Sequence, residues 1–182
     1  MTMAFILISG ALVAGWSLAV HGLTLLAGGW LVFGWGLLAL AVIDARTKLL
    51  PDILTLPLMW LGIVMQLFPE TRTVGLEASV WGVLAGYVPL WLLAHAYRLV
   101  RGRDGLGFGD LKLLAAMGAW SGAAILPGVV FLSALMALIG ILAMRLWRRG
   151  ATDLEAEFPF GPWIIAAYMI CLVVGFNMFG IQ

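Results

Sequence analysis

Seven apolar runs follow one another along this 182-residue chain, at residues 3–20, 23–43, 53–68, 76–97, 111–126, 128–147 and 160–180, with only short polar or Gly/Pro breaks between them. A helix needs roughly 20 predominantly apolar residues to cross a bilayer. Runs of this length read as transmembrane helices, so the expected fold is all-α: a polytopic membrane protein with about seven spans. The fifth run is short and the break at His21-Gly22 is tight, so six spans plus a re-entrant segment is the alternative. With 64% hydrophobic and 10% charged residues, the chain has too little polar surface to coat a soluble domain. Residues 1–182 are therefore expected to form one membrane domain. No basic stretch precedes the first run, which reads as a retained span and not a cleaved signal peptide.

The formal net charge of +1 carries no nucleic-acid footprint. The single cysteine, Cys171, rules out a disulfide within the chain and a multi-cysteine metal site, and reads as a small core or lipid-facing residue. If the spans alternate, Arg46, Lys48, Arg98, Arg101, Arg103, Lys112, Arg145, Arg148 and Arg149 fall on one side and Arg72 alone on the other. Cytoplasmic loops carry the excess of Lys and Arg. The expected topology therefore puts the N-terminus in the cytoplasm and the C-terminus outside. It also splits residues 111–147 into two spans, with Pro127-Gly128 as the external turn. Gly82 and Gly86, and again Gly118 and Gly122, stand four apart, as residues do where helix backbones approach closely. Tryptophans near span ends, Trp147 and Trp163 among them, read as interfacial anchors.

The acidic residues divide by position. Glu70 and Glu77 flank an external loop, Asp104 sits beside Arg101 and Arg103, and Asp153, Glu155 and Glu157 follow the basic cluster at 145–149. Asp44 directly continues the second apolar run and Asp110 directly opens the fifth. An ionised carboxylate deep in a membrane costs up to about 3 kcal/mol on an insertion scale, so these two need a reason to be there. Two complete crossings separate them, which returns both to the same face and permits them to meet.

Two facing carboxylates have a specific use. Like charge and low dielectric make the pair share one proton over a range of pH. The ionised member can take a proton from water as it attacks a peptide carbonyl, while the protonated member donates to the carbonyl oxygen and then to the leaving amine. That chemistry needs no metal, cofactor or covalent nucleophile, and none is expected. Gly107 and Gly109 fit as residues that permit a tight bend and the close approach of a substrate strand. A loop-to-helix bend with Asp110 as an N-terminal helix charge accounts for the same residues without chemistry.

The stretch from Ile43 to Asp52 (IDARTKLLPD) resembles the first aspartate motif of type IV prepilin leader peptidases, an Asp followed after seven residues by Pro and an Asp or Asn. Residues 107–120 (GFGDLKLLAAMGAW) resemble their second motif, and Phe158-Pro159-Phe160-Gly161-Pro162 is similar to the Pro-Phe-Gly-Pro before their last helix. The resemblance implies a membrane aspartic peptidase with Asp44 and Asp110 as the catalytic pair. It would remove the short basic leader from prepilins or pseudopilins at the cytoplasmic face of the bacterial inner membrane, after the glycine that precedes the mature N-terminus. Pro51, Asp52, Gly107, Gly109 and Lys112 would support the site, Lys112 by tuning Asp110. Asp153, Glu155 and Glu157 are candidates for attracting the basic leader. Larger members carry a Cys-x-x-Cys cytoplasmic domain associated with N-methylation. This chain has no such cysteines and reads as a peptidase-only core or a natural short form. Two other readings stand beside this one, a proton-coupled carrier, which would want acids near mid-span, and a presenilin-like protease that cuts transmembrane substrates and shares Gly-x-Gly-Asp.

Overall fold

The computed structural model describes residues 10–12, 14, 15, 17–19, 21–102, 107–147 and 159–179. The described parts of residues 10–19 are helical, and most of the first apolar run lies outside the described residues. Six helices follow: α1 (Leu25–Thr47), α2 (Asp52–Met65), α3 (Leu76–Arg101), α4 (Phe108–Ser121), α5 (Leu126–Trp147) and α6 (Gly161–Phe179), with a 3₁₀ turn at Pro69–Thr71. α1, α3 and residues Leu126–Arg145 of α5 are long and apolar enough to cross a membrane. The fold is all-α, and the chain is a polytopic membrane protein.

Local chemistry sets the breaks. Gly22 takes φ +64, a left-handed conformation that glycine enters without steric cost. Thr24 then caps α1, its hydroxyl accepting the Ala27 N–H at 3.2 Å, which satisfies one of the donors that a helix start leaves unpaired. The fifth run ends earlier than its apolar pattern suggests. α4 stops at Ser121 because Gly122 adopts φ +75, and the turn occupies residues 122–125. Pro127 and Gly128 are therefore not the external turn expected of them. They lie in the first turn of α5, where a proline's missing N–H has no intrahelical partner to lose.

α4 is the centre of the bundle. It has 14 residues. At a helical rise of about 1.5 Å per residue it is about 21 Å long, short of the roughly 30 Å hydrocarbon core of a bilayer. Nine of its residues, Leu111 and all of Leu113–Trp120, are buried among the other helices, so it behaves as a core helix and not a lipid-facing span. It packs most extensively on α3, then on α2. The α3 contact depends on small residues. A Cβ at Gly82 would overlap the backbone of Gly118, one at Gly118 would overlap Gly82, and one at Gly86 would sit 2.6 Å from the Leu114 carbonyl oxygen. Three of the four glycines thus allow the backbones to touch, while Gly122 serves as a helix stop. The pairing of 82 with 118 and 86 with 114 makes the two helices antiparallel.

Trp120 anchors the core from the far end of α4. Its ring stacks on Phe33 at 4.6 Å and tilts against Trp30 at 5.1 Å, and its Nε1–H donates to the Leu58 carbonyl at 2.9 Å. Trp30 and Trp120 are buried, so these two are core residues and not interfacial anchors. Trp163 lies over a notch in α5, where a Cβ at Gly140 would come within 2.8 Å of its ring. On the same end as the Trp120 ring, the buried Gln66 amide organises the loop between α2 and α3, accepting the N–H groups of Thr73, Val74 and Gly75 at 2.9, 3.2 and 3.2 Å.

Candidate active site

The opposite end of the bundle gathers the C-terminal end of α1 and the N-terminal ends of α2, α4 and α6. α1 ends one turn after Asp44, where Lys48 takes φ 57. The Lys48 N–H bonds the Asp44 carbonyl at 2.8 Å. The Asp44 residue is only 5% exposed. A carboxylate near a helix C-terminus is disfavoured by that helix's dipole. The compensation comes from α6, whose first residue, Gly161, donates its N–H to Asp44 Oδ2 at 3.0 Å. A hydrogen bond to a charged group is worth about 1.5–3 kcal/mol, against about 0.3–1 kcal/mol for an ordinary helix-end effect, so the α6 contact outweighs the α1 dipole. Glycine is needed there for space, since a Cβ would lie 2.8 Å from Oδ2 and 3.0 Å from Cγ.

Asp110 is the third residue of α4 and is half-buried. Its N–H closes the first turn on the Gly107 carbonyl at 3.1 Å, and its Oδ2 lies where a Cβ at Gly107 would be within 3.3 Å. Asp110 opens α4 at the end of the bundle where α1 closes on Asp44, and these residues, 66 positions apart (110 − 44), lie close enough for their charges to interact.

Two contacts lock the first motif onto the second. Leu50, in the loop after α1, packs on Gly109, where a Cβ would be 2.8 Å from the Leu50 Cβ. Asp52, the first residue of α2, receives Lys112 Nζ at 2.7 Å on both carboxylate oxygens. Lys112, expected to tune Asp110, makes its ion pair with Asp52, because the N-terminus of α2 lies alongside the first turn of α4. The two glycines also act differently from expectation. Gly107 has φ −70 and ψ 122, and Gly109 is helical, so neither is required for a bend. They make room instead, Gly109 for Leu50 and Gly107 for the Asp110 carboxylate. Pro51 stands at the N-cap of α2 with φ −69, directing the chain into that helix.

Asp153, Glu155 and Glu157 lie outside the described residues. Sequence reasoning misses Gly161 and Leu50 as functional positions, although both sit inside the quoted motifs. The signal for Gly161 is the Pro-Phe-Gly-Pro run itself. Of the basic residues, Arg46, Lys48, Arg98, Arg101, Lys112 and Arg145 lie toward the same end of the bundle as the two carboxylates, as the helix directions require.

A model of the type IV leader peptidase family matches residues 31–142, a range that holds both aspartates. The chain is similar to the prepilin leader peptidase/N-methyltransferase of Pseudomonas aeruginosa, 42% identical over 166 residues, 91% of this chain and 56% of that protein. Proteins of the same name from Dickeya chrysanthemi and Dichelobacter nodosus are 46% and 44% identical, over 84% and 80% of this chain and 52% and 48% of theirs. The chain spans about half the length of these relatives. No solved structure matches it. Matched over most of its length, and with the quoted motifs assembled at one site, the chain belongs to the type IV leader peptidase family.

Proposed function

We propose that this protein is a membrane aspartic endopeptidase that removes the short basic leader of prepilins or pseudopilins, with Asp44 and Asp110 as the catalytic pair. The observation that carries the reading is the meeting of the two carboxylates at one end of the bundle, one buried and one half-buried. The ionised carboxylate draws a proton from water as the water oxygen bonds the peptide carbonyl carbon. The protonated carboxyl gives its proton to the carbonyl oxygen, which leaves a neutral gem-diol. On collapse the C–N bond breaks, the first carboxyl passes its proton to the departing nitrogen, and the second regains one from the gem-diol.

The basic residues on that end orient the site toward the cytoplasm of a bacterial inner membrane, with the N-terminus inside and the C-terminus outside. The cut falls after the glycine preceding the mature N-terminus. Asp153, Glu155 and Glu157 receive the basic leader. Leu50, Gly109, Asp52 and Lys112 hold the two catalytic motifs in register. Asp44→Asn and Asp110→Asn are each expected to lower cleavage of a co-expressed precursor by about 10²–10⁴-fold while the protein still inserts. Substantial cleavage retained in either variant would sink the assignment.

A further inference from the structure

The two carboxylates do not have equivalent surroundings. Asp44 accepts the Gly161 N–H at 3.0 Å within a pocket that leaves the residue 5% exposed. Asp110 is half-buried, and among the described residues its carboxylate accepts no hydrogen bond. Gly161 opens α6, where a backbone N–H has no partner inside its own helix. A hydrogen bond to an ionised acceptor is about twice as strong as one between neutral groups. Each carboxylate meets a helix N-terminus, Asp44 that of α6 and Asp110 that of its own helix, but Asp44 also lies in the last turn of α1, whose dipole disfavours its charge. The Gly161 hydrogen bond is worth more than that helix-end effect and reverses its sense.

We propose that Gly161 is a positioning residue that fixes the division of labour in the pair: its N–H holds Asp44 as the ionised, water-activating member, and Asp110 carries the proton delivered to the substrate carbonyl. This rests on the peptidase reading. The titratable group that acts with Asp44 is Asp110 from α4, while the Asp52–Lys112 pair joins α2 to α4 at the same end of the bundle. Arg46 and Lys48 flank it on and just past α1 with exposed side chains, the first turn of α6 brings none, and Glu70 of the 3₁₀ turn belongs to the opposite end.

Two measurements test the assignment. In the whole wild-type chain labelled with ¹³C-aspartate, with resonances assigned through Asp44→Asn and Asp110→Asn, the Asp44 Cγ is expected at the carboxylate position and the Asp110 Cγ at the carboxylic acid position at the pH of maximal cleavage. The reverse assignment, or two carboxylates, overturns the proposal. The second measurement compares pH profiles of kcat/KM for Gly161→Ala and Gly161→Pro. Both add a Cβ 2.8 Å from Asp44 Oδ2. Only proline removes the N–H, and it does so at the first helical position, where the helix tolerates it. Loss of the donor disfavours the ionised form, so the acidic limb of the proline variant is expected about one to two pH units above that of the alanine variant. Superimposable limbs overturn the proposal, and a purely structural defect, which lowers the amplitude of the profile without moving its limbs, overturns it equally. Should the proline variant not accumulate, the wild-type resonances decide alone. A wild-type protein that cuts no precursor fails the peptidase reading instead, which is a separate outcome.

Discussion

The contact between α3 and α4 makes a sharp prediction about glycine. Replacing a helical glycine by alanine ordinarily stabilises by roughly 0.5–1 kcal/mol, because alanine loses less backbone freedom on folding. Gly28 in α1 is such a position, exposed and with nothing within 4 Å of a Cβ. Gly82 and Gly118 are the reverse case, since a Cβ on either meets the backbone of the other. A flexible side chain could turn away, but a peptide carbonyl inside a helix cannot, so the two helices must separate. Overpacking costs about 1–3 kcal/mol, and the obstruction by backbone puts these sites in the upper half of that range. Set against the propensity gain, Gly82→Ala and Gly118→Ala are each expected to destabilise by about 1–2.5 kcal/mol, a roughly five- to seventyfold change in the folded ratio. Gly28→Ala should be neutral or stabilising. Titration from mild detergent into a denaturing one, followed by tryptophan fluorescence, reads the difference. Because α4 carries Asp110 in its first turn, cleavage should fall with Gly82→Ala even under conditions where the protein stays folded. Equal stability of Gly82→Ala and Gly28→Ala would refute the close approach.

The Asp52–Lys112 pair has side chains 54% and 27% exposed, so it belongs with partly screened surface pairs. A double-mutant cycle of Asp52→Ala and Lys112→Ala should give a coupling of about 0.5–1 kcal/mol that fades as salt is raised, and no coupling at low salt would mean the clamp is not formed. Gln66→Leu keeps the volume but strips the acceptor from the three N–H groups at 73–75. It should cost about 1–3 kcal/mol by chemical denaturation, whereas a cost under about 0.5 kcal/mol would mean water replaces the amide.

Much of this architecture is legible in the sequence because a bilayer leaves few options for an apolar run of some 20 residues. The helices stand where the runs do, and spacing alone names Gly82, Gly86 and Gly118 as contact residues. Boundaries are harder. The apolar pattern continues unbroken through Ala123 to Leu126, and only the conformation of Gly122 shows that α4 has ended, so the pattern places the turn too late, at Pro127-Gly128. The meeting of Asp44 and Asp110 follows from counting crossings, which fixes the face but not the neighbours. For that reason the sequence does not reveal the ion-pair partner of Lys112. The residue two positions away along the chain is Asp110, but Lys112 reaches a carboxylate that α2 brings in from 60 positions earlier. The Gly161 contact is invisible for the same reason, since it joins positions 117 apart and uses a backbone group that no side-chain pattern encodes.

The site's position at helix ends solves an electrostatic problem. On the proposed mechanism the carboxylate pair shares one proton and carries about one negative charge, which a membrane boundary does not solvate well. Each helix N-terminus behaves as roughly +0.5 of a charge and each C-terminus as −0.5. α2, α4 and α6 present N-termini here and α1 a C-terminus, so the ends nearest the pair sum to roughly +1. α3 and α5 do not spoil that balance, because they run past the site before ending. Gly86 of α3 is level with Leu114, which puts the level of Asp110 near Leu90, and the helix continues to Arg101. Gly140 of α5 is level with Trp163, and that helix continues to Trp147. Their negative ends are thus carried away from the carboxylates and are met instead by Arg98, Arg101 and Arg145, which lie in their last turns. Among the described residues no buried cation stands beside the two carboxylates. Among those residues neither acid is tied up in an ion pair, which on the proposed mechanism leaves both free to exchange protons with water and a peptide.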